Sequence, residues 1–123
     1  MSNVDLSYIE NNPILKKSLD FAIEIVKYCK ILKHEHREYS LADQLIRSGT
    51  SIGANASEAV IGSSKKDFIN KMNISLKEAY ETRYWLIILL KTDYLNDHKY
   101  LLNQIDELIR ILVKIVKTAK GGN

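Results

Sequence analysis

The sequence predicts an all-α fold, an antiparallel up-down-up-down four-helix bundle. Apolar residues recur every three or four positions along four long segments, and no segment alternates as a strand does. The links between these segments are short, so consecutive helices are expected to lie side by side in opposite directions. With 123 residues and one proline, the chain is long enough for a single domain with a substantial core.

The predicted bundle occupies residues 13–120, between an N-terminal arm and a frayed C-terminal tail. The arm covers 1–12 and the tail 121–123, and the four helices are expected over 13–35, 40–61, 65–92 and 97–119. In the first helix, one apolar line runs through Leu15, Leu19, Ala22 and Val26 to Cys29. A second line, beside the first, runs through Phe21, Ile25, Tyr28 and Leu32. We expect both lines to face the core.

Capping residues support these boundaries. Asn12, followed by the proline, is typical of an N-cap. Ser40 and Ser64, each with an aspartate three residues later, resemble capping boxes. Asn96 and the aspartate after it are expected to cap the fourth helix, and Gly62 suits a left-handed C-terminal cap of the second.

One face of the second helix consists of small residues. Gly49, Gly53 and Ser57 follow one another at intervals of four. Each mid-helix glycine costs about 1 kcal/mol relative to alanine, so a tertiary contact has to offset that cost. We therefore expect a neighbouring helix to approach this face unusually closely.

A second face of the same helix is polar. We predict that it forms a hydrogen-bonded internal network with the third helix, with Arg47 level with Glu78 and Ser51 level with Ser75, while Glu58 points toward the first helix near Ser18. The predicted network residues are Arg47, Ser51, Asn55, Glu58 and Glu78. The alternative interpretation is a ligand site formed by Arg47, Asn55 and Glu58.

The third and fourth helices carry more apolar surface than a monomeric bundle of this size buries. Residues 84–90 are apolar all round the helix, and the fourth helix has a second apolar face. We predict a homo-oligomer, and the alternative is a wide core face with a few exposed apolar residues. The predicted interface residues are Tyr84, Trp85, Ile88, Ile109 and Val113.

The formal net charge is +3, and the basic residues are unevenly placed. The predicted topology gathers seven lysines at one end of the bundle. They are Lys16, Lys17, Lys65, Lys66, Lys114, Lys117 and Lys120. Four of them occupy first helical turns, where the helix dipole disfavours cations. This placement predicts polyanion binding, to RNA or DNA phosphates and with little sequence specificity. The alternative is a scaffold that recruits a protein partner, with lysines that serve only solubility. No aromatic residues are interleaved with the lysines, so base stacking is not predicted.

The residues predict no catalytic site, cofactor or metal. A di-iron bundle requires Glu-x-x-His motifs, and none is present. His34, His36 and His98 lie in or beside links and lack the spacing of four that aims two imidazoles at one metal. The single Cys29 fits a reducing compartment, no secretion signal is visible, and no apolar run is long enough to span a membrane. We expect a cytoplasmic protein without enzymatic activity.

Two motifs resemble those of the bacterial 23S rRNA intervening-sequence proteins. They are RSGTSIGANASEA at 47–59, followed by SSKKDF at 63–68, and SLKEAYETRYWL at 75–86. The similarity extends over about residues 11–118. Ala59 stands where a glycine is frequent in the family.

The resemblance implies a small cytoplasmic four-helix bundle that assembles as a ring-like homopentamer, with no enzymatic activity attached to it. Some members are encoded within segments inserted in large-subunit ribosomal RNA genes. A related branch is the accessory protein of diversity-generating retroelements, which binds a reverse transcriptase and nucleic acid through a basic surface.

Overall fold

The computed structural model describes residues 3–62 and 64–121, and this part of the chain is all-α with four long helices. The elements are α1 (Ser7–Glu10), α2 (Pro13–Glu35), α3 (Tyr39–Ile61), α4 (Lys65–Lys91), a 3₁₀ helix (Asn96–His98) and α5 (Tyr100–Ala119). The predicted boundaries of the four long helices agree with these to within three residues.

Two of the five predicted caps are confirmed and three, Ser40, Gly62 and Asn96, are wrong. The Asn12 and Ser64 side chains each accept a hydrogen bond from a backbone N–H three residues on, over 3.4 and 3.0 Å. Ser40 is not a cap, because α3 begins one residue earlier and the Glu38 carboxylate accepts the backbone bond at 3.1 Å. Gly62 has a φ of −68°, so it does not adopt the predicted left-handed conformation.

The termini of the bundle differ from the prediction in detail. Asn96 does not cap the fourth long helix, because it begins a 3₁₀ turn, and α5 starts at Tyr100 without a side-chain cap. The predicted arm contains the short helix α1, whose Ile9 packs against the core. Of the predicted tail, Gly121 forms a turn with a φ of +88°. Residues 122–123, like 1–2 and 63, lie outside the described residues.

The core is a single cluster of buried apolar side chains from all four long helices. In α2 the buried line is the second predicted one, through Phe21, Ile25 and Tyr28. The prediction for the first line is wrong in its middle, since Leu19 is 36% exposed and its neighbours toward Val26 are only half-buried. The helix is rotated so that this part of the first line lies at the surface.

Each long helix contacts two others: α2 packs on α3 and α5, and α4 packs on α3 and α5. Helices α3 and α4 run antiparallel, because residues later in α3 contact residues earlier in α4. The contacts that show this are Arg47–Glu78, Ile52–Ser75 and Glu58–Lys71. Phe68, in the first turn of α4, lines a groove with residues of the second half of α5, so the first turn of α4 lies beside the last turns of α5. No helix within the described ranges is both long and apolar enough to cross a membrane.

Candidate nucleic-acid interface

Two groups of lysines meet at one end of the α4–α5 pair. Lys65 and Lys66 lie in the first turn of α4, whereas Lys114, Lys117 and Lys120 lie along the end of α5, and all five are exposed. An apolar groove of about 460 Å³ joins the two helices. It is lined by Phe68, Ile111, Lys114, Ile115, Thr118 and Ala119. The sequence prediction that these lysines share one end therefore agrees with the geometry.

Ion pairing divides the seven predicted lysines into two classes. Lys16 contacts Asp20 at 3.4 Å, and Lys17 contacts Glu107 of α5 at 3.1 Å. None of the other five lysines has a carboxylate oxygen within 4.0 Å among residues 3–62 and 64–121. The five lysines of α4 and α5 are therefore the ones whose charge is left for an external anion, and we refer to them as the lysine cluster.

Local helix electrostatics explain part of this arrangement. Cations in the last turn of α5 interact favourably with its dipole, so Lys117 and its neighbours need no further partner. Lys65 and Lys66 oppose the dipole of α4, and Asp67 is the one acidic residue in that turn. Because Asp67 forms no ion pair among the described residues, the two lysines are not neutralised by it.

The predicted polar network is present only in part. Arg47 donates to Glu78 over 3.3 Å, as predicted, and also pairs with Glu81. Glu81 accepts a second bond from the Trp85 indole N–H at 3.0 Å. The Trp85 bond and the Arg47 charge hold the pKa of Glu81 below its ordinary value. The Arg47 side chain is 48% exposed, so this cluster lies at the surface of the chain and is not internal.

The other predicted network residues do not join this cluster. Ser51 and Asn55 donate to backbone carbonyls one turn back in their own helix, at 2.6 and 2.8 Å. Glu58 pairs with Lys71 of α4 at 2.7 Å, so the prediction that it faces Ser18 of α2 is wrong. Residues Arg47, Asn55 and Glu58 thus have separate partners, and the structure does not gather them into one ligand site.

The sequence prediction did not include two buried hydrogen bonds that join α3 and α4. The Thr82 hydroxyl donates to the Ser48 hydroxyl at 2.9 Å, and the Ser75 hydroxyl donates to the Ile52 carbonyl at 2.7 Å. All three hydroxyl-bearing side chains are fully buried. Their spacing of seven residues in α4 was the available signal, because positions seven apart share one helix face. Buried hydroxyls that are all paired stabilise one helix register.

The small-residue face of α3 packs closely against a neighbouring helix, as predicted, and this helix is α2. A Cβ atom placed on Gly49 would lie 3.0 Å from the Ile25 Cγ2, and one placed on Gly53 would lie 2.9 Å from the Ser18 Oγ. Both distances are shorter than ordinary van der Waals contacts. The two glycines therefore allow the backbones to approach more closely than alanines would.

The predicted interface residues fall into three environments. Tyr84 is 59% and Val113 41% exposed, whereas Trp85 and Ile88 are half-buried. Ile109 is only 8% exposed and belongs to the core of the chain, so its prediction as an interface residue is wrong. The fourth predicted helix is more deeply packed at this position than its second apolar face suggested.

An exposed apolar strip on α2 was also missed. Leu19 and Ile23 are 36% and 44% exposed, and they lie in a shallow apolar depression with the half-buried Ala22 and Val26. The spacing of these residues places them on one helix face. The sequence prediction had assigned three of these positions to the core.

The histidines and the cysteine occupy unrelated positions. His36 and His98 line one polar cavity of about 330 Å³, and His34 is not among its lining residues. Among the described residues, no group of three or more His, Cys, Asp or Glu side chains is placed to hold a metal ion. Burial raises the pKa of the Cys29 thiol to about 12, which makes it a poor nucleophile.

Comparison with known proteins places the chain in a family. The family model of the 23S rRNA-intervening sequence proteins matches residues 10–114. A crystal structure of a protein of unknown function, from the S23 ribosomal protein family of Bacteroides thetaiotaomicron, is 45% identical to the chain. It superposes with a TM-score of 0.83, over 86% of this chain and 96% of that one. Comparison with curated proteins gives no match. The chain belongs to the 23S rRNA-intervening sequence protein family.

Proposed function

We propose that the protein is a non-enzymatic, homo-oligomeric helical bundle that binds RNA or DNA phosphates through the lysine cluster, without sequence specificity. One observation carries the proposal. Five lysines from two helices converge on one end of the molecule and have no carboxylate partner among the described residues. A nucleic-acid backbone supplies closely spaced negative charges that match such a cluster, and lysines that neutralise phosphates release bound counterions.

The proposal includes an up-down-up-down arrangement of the four long helices. Each long helix contacts two others, which supports this arrangement. The residue pairs between α3 and α4 show that these two helices are antiparallel. In the α2–α5 pair, Lys17 contacts Glu107 and Glu24 contacts Tyr100. This topology keeps the start of α4 and the end of α5 together, which the lysine cluster requires.

We further propose that copies of the chain form a ring, a pentamer by resemblance to its family. In a ring of more than two subunits the interface is head-to-tail. One patch on each subunit contacts a different patch on the next subunit. Exposed apolar side chains offer two such patches on different helices, one at Tyr84 on α4 and one at Leu19 and Ile23 on α2. A ring would repeat the lysine cluster around one axis and raise the local positive potential.

The nucleic-acid proposal is tested by charge reversal with a matched control. Lys65→Glu together with Lys66→Glu should reduce the affinity for a structured RNA at least tenfold, measured by fluorescence anisotropy. Lys91→Glu together with Lys99→Glu makes the same change of net charge at the other end of α4 and before α5, and should retain most of the affinity. Equal losses in the two double variants would show a net-charge effect and would reject the lysine cluster as the binding site.

The alternative function is a scaffold that recruits a protein partner, and the apolar strip of α2 is the observation that favours it. Under this alternative, the lysine variants bind RNA no more weakly than the wild-type chain, and substitutions in the α2 strip abolish partner capture.

We place either function in the cytoplasm, because the chain has a single cysteine, which forms no internal disulfide. We prefer the nucleic-acid function because an apolar strip is also what ring assembly requires.

A further inference from the structure

We infer that the apolar groove within the lysine cluster accepts an unstacked nucleobase, so that the protein binds single-stranded nucleic acid in preference to duplex. The inference rests on the proposed function and adds a ligand class to it. It also departs from the expectation drawn from the sequence, in which no aromatic residue lies among the lysines.

The groove has the chemistry of a base-binding site. Its lining is almost wholly apolar, and its volume of about 460 Å³ lies within the range of small-molecule pockets, roughly 300–1,000 Å³. Phe68 is the aromatic residue of the lining, and it is half-buried against the core. A ring that is held by core packing and still accessible from the groove can stack on a base without being ordered first.

Lysines of both helices border this groove. Lys114 belongs to its lining, and Lys65 precedes Phe68 by three residues, which makes the two side chains neighbours on the helix surface. Lys117 and Lys120 flank the lining residues Thr118 and Ala119. A nucleotide carries both a flat apolar base and a phosphate charge, so it complements an aromatic groove with a cationic rim.

Single strands satisfy this geometry better than duplexes do. In a duplex the bases are paired and stacked, and a base must be extruded before it can enter a groove. In a single strand the bases are free to leave the stack, and every base has a face that can stack on an aromatic ring. Stacking of this kind tolerates any sequence, which is consistent with non-specific binding.

The test compares strands that differ only in their bases. A labelled strand of about 12 nucleotides, within the range of roughly 4–16 nucleotides bound by single-strand-binding domains, is titrated against an abasic strand of the same length. We expect the wild-type protein to bind the base-containing strand roughly 5- to 150-fold more tightly than the abasic strand. A duplex of the same length should bind more weakly than the base-containing single strand, because its bases cannot enter the groove.

Variants at the groove identify the site. Phe68→Leu keeps an apolar side chain and should remove most of the preference for bases, whereas Phe68→Tyr keeps the ring and should retain it. Ala119→Trp fills the groove without removing a core side chain, and should also remove the preference. Circular dichroism confirms that each variant is helical, and the Ala119 variant provides the test if Phe68→Leu does not fold.

The outcomes separate the inference from the proposed function. Equal affinity of the wild type for base-containing and abasic strands overturns the inference and leaves phosphate binding standing. Groove variants that keep the full preference for bases overturn it as well. A changed oligomer mass in Phe68→Leu would show that the groove is occupied by a second copy of the chain, which also overturns the inference. Failure to bind any strand contradicts the proposed function itself.

Discussion

Gly53 of α3 lies so close to Ser18 of α2 that an added Cβ atom would be 2.9 Å from the Ser18 hydroxyl oxygen. Ser18 is fully buried, and its hydroxyl donates to the Leu15 carbonyl at 3.2 Å. The hydroxyl therefore cannot turn away without losing its hydrogen bond. This contact explains why a residue that weakens helices stands in the middle of α3.

Gly53→Ala should destabilise the protein despite its better helix propensity. Overpacking costs about 1–3 kcal/mol, and the propensity gain returns about 1 kcal/mol, so we expect a net loss of up to about 2 kcal/mol. Urea denaturation followed by circular dichroism measures the change. The double variant with Ser18→Ala removes the hydroxyl and should be more stable than Gly53→Ala alone. A double variant no more stable than the single one would contradict this account of the contact.

The fluorescence of Trp85 should report the protonation of the Glu81 carboxylate at acid pH. Trp85 is the single tryptophan, and its indole N–H donates to the Glu81 carboxylate. Because the pKa of Glu81 is held below its ordinary 4.5, the pair stabilises the fold at higher pH, and this contribution is lost as the pH falls through the folded-state pKa. We expect the tryptophan emission to change with a midpoint below 4.5, and Glu81→Gln to abolish the transition. A midpoint above that value, or an unchanged titration in the variant, would refute the assignment.

The Cys29 thiol should be unreactive in the folded protein. Its pKa is raised by burial from 9.0 to about 12, so at neutral pH Ellman's reagent should label one thiol per chain only after denaturation. The unfolded chain loses this proton at lower pH than the folded chain. The free energy of unfolding should therefore fall as the pH rises from 9.0 toward about 12. Rapid labelling under native conditions would contradict the buried position.

The two exposed apolar patches should behave as complementary halves of one interface. Tyr84→Lys on α4 and Ile23→Lys on α2 should each yield a monomeric mass by native mass spectrometry. An equimolar mixture of the two variants should form a dimer, because each still carries one intact patch. Tyr39→Lys, which changes an exposed tyrosine at the start of α3, serves as the control. If neither patch variant changes the mass of the wild-type assembly, the patches are not the interface.

Helix positions were predictable from the sequence because they depend on local rules. Apolar periodicity and the Asn12 and Ser64 caps act within a few residues, and these agree with the structure. Caps that lie in links were harder to predict. The chain reverses through positive φ values at Arg37 and Asp93. Aspartate is enriched in this conformation, but arginine does not signal such a turn. The cap of α3 therefore fell on Glu38 and not on the more typical Ser40.

The rotation of each helix about its own axis could not be predicted from the sequence, and this rotation decides which side chains are exposed. In α2 two adjacent apolar lines compete for the core, and only packing against α3 and α5 decides that Leu19 is exposed. Ile109 and Glu58 were misassigned for the same reason, since a rotation of one residue position changes the partner of a side chain. That the lysines of α4 and α5 lie at one end was predictable, because the ends of helices depend on topology and not on rotation. The ion pairs that separate Lys16 and Lys17 from the lysine cluster were not. The spacing of three residues between Lys65 and Phe68 was visible in the sequence, but the position of Phe68 beside Lys114 of α5 required the packed helices.

The salt dependence of nucleic-acid affinity tests the central claim most directly. For single strands, each phosphate that a lysine neutralises contributes about −0.7 to the slope of log affinity against log salt. The wild-type chain should show a steep negative slope, and Lys65→Gln with Lys66→Gln should reduce its steepness by about 1.4, or 0.7 for each lost contact. An affinity that does not vary with salt, or a slope that the two substitutions leave unchanged, would contradict phosphate binding by the lysine cluster.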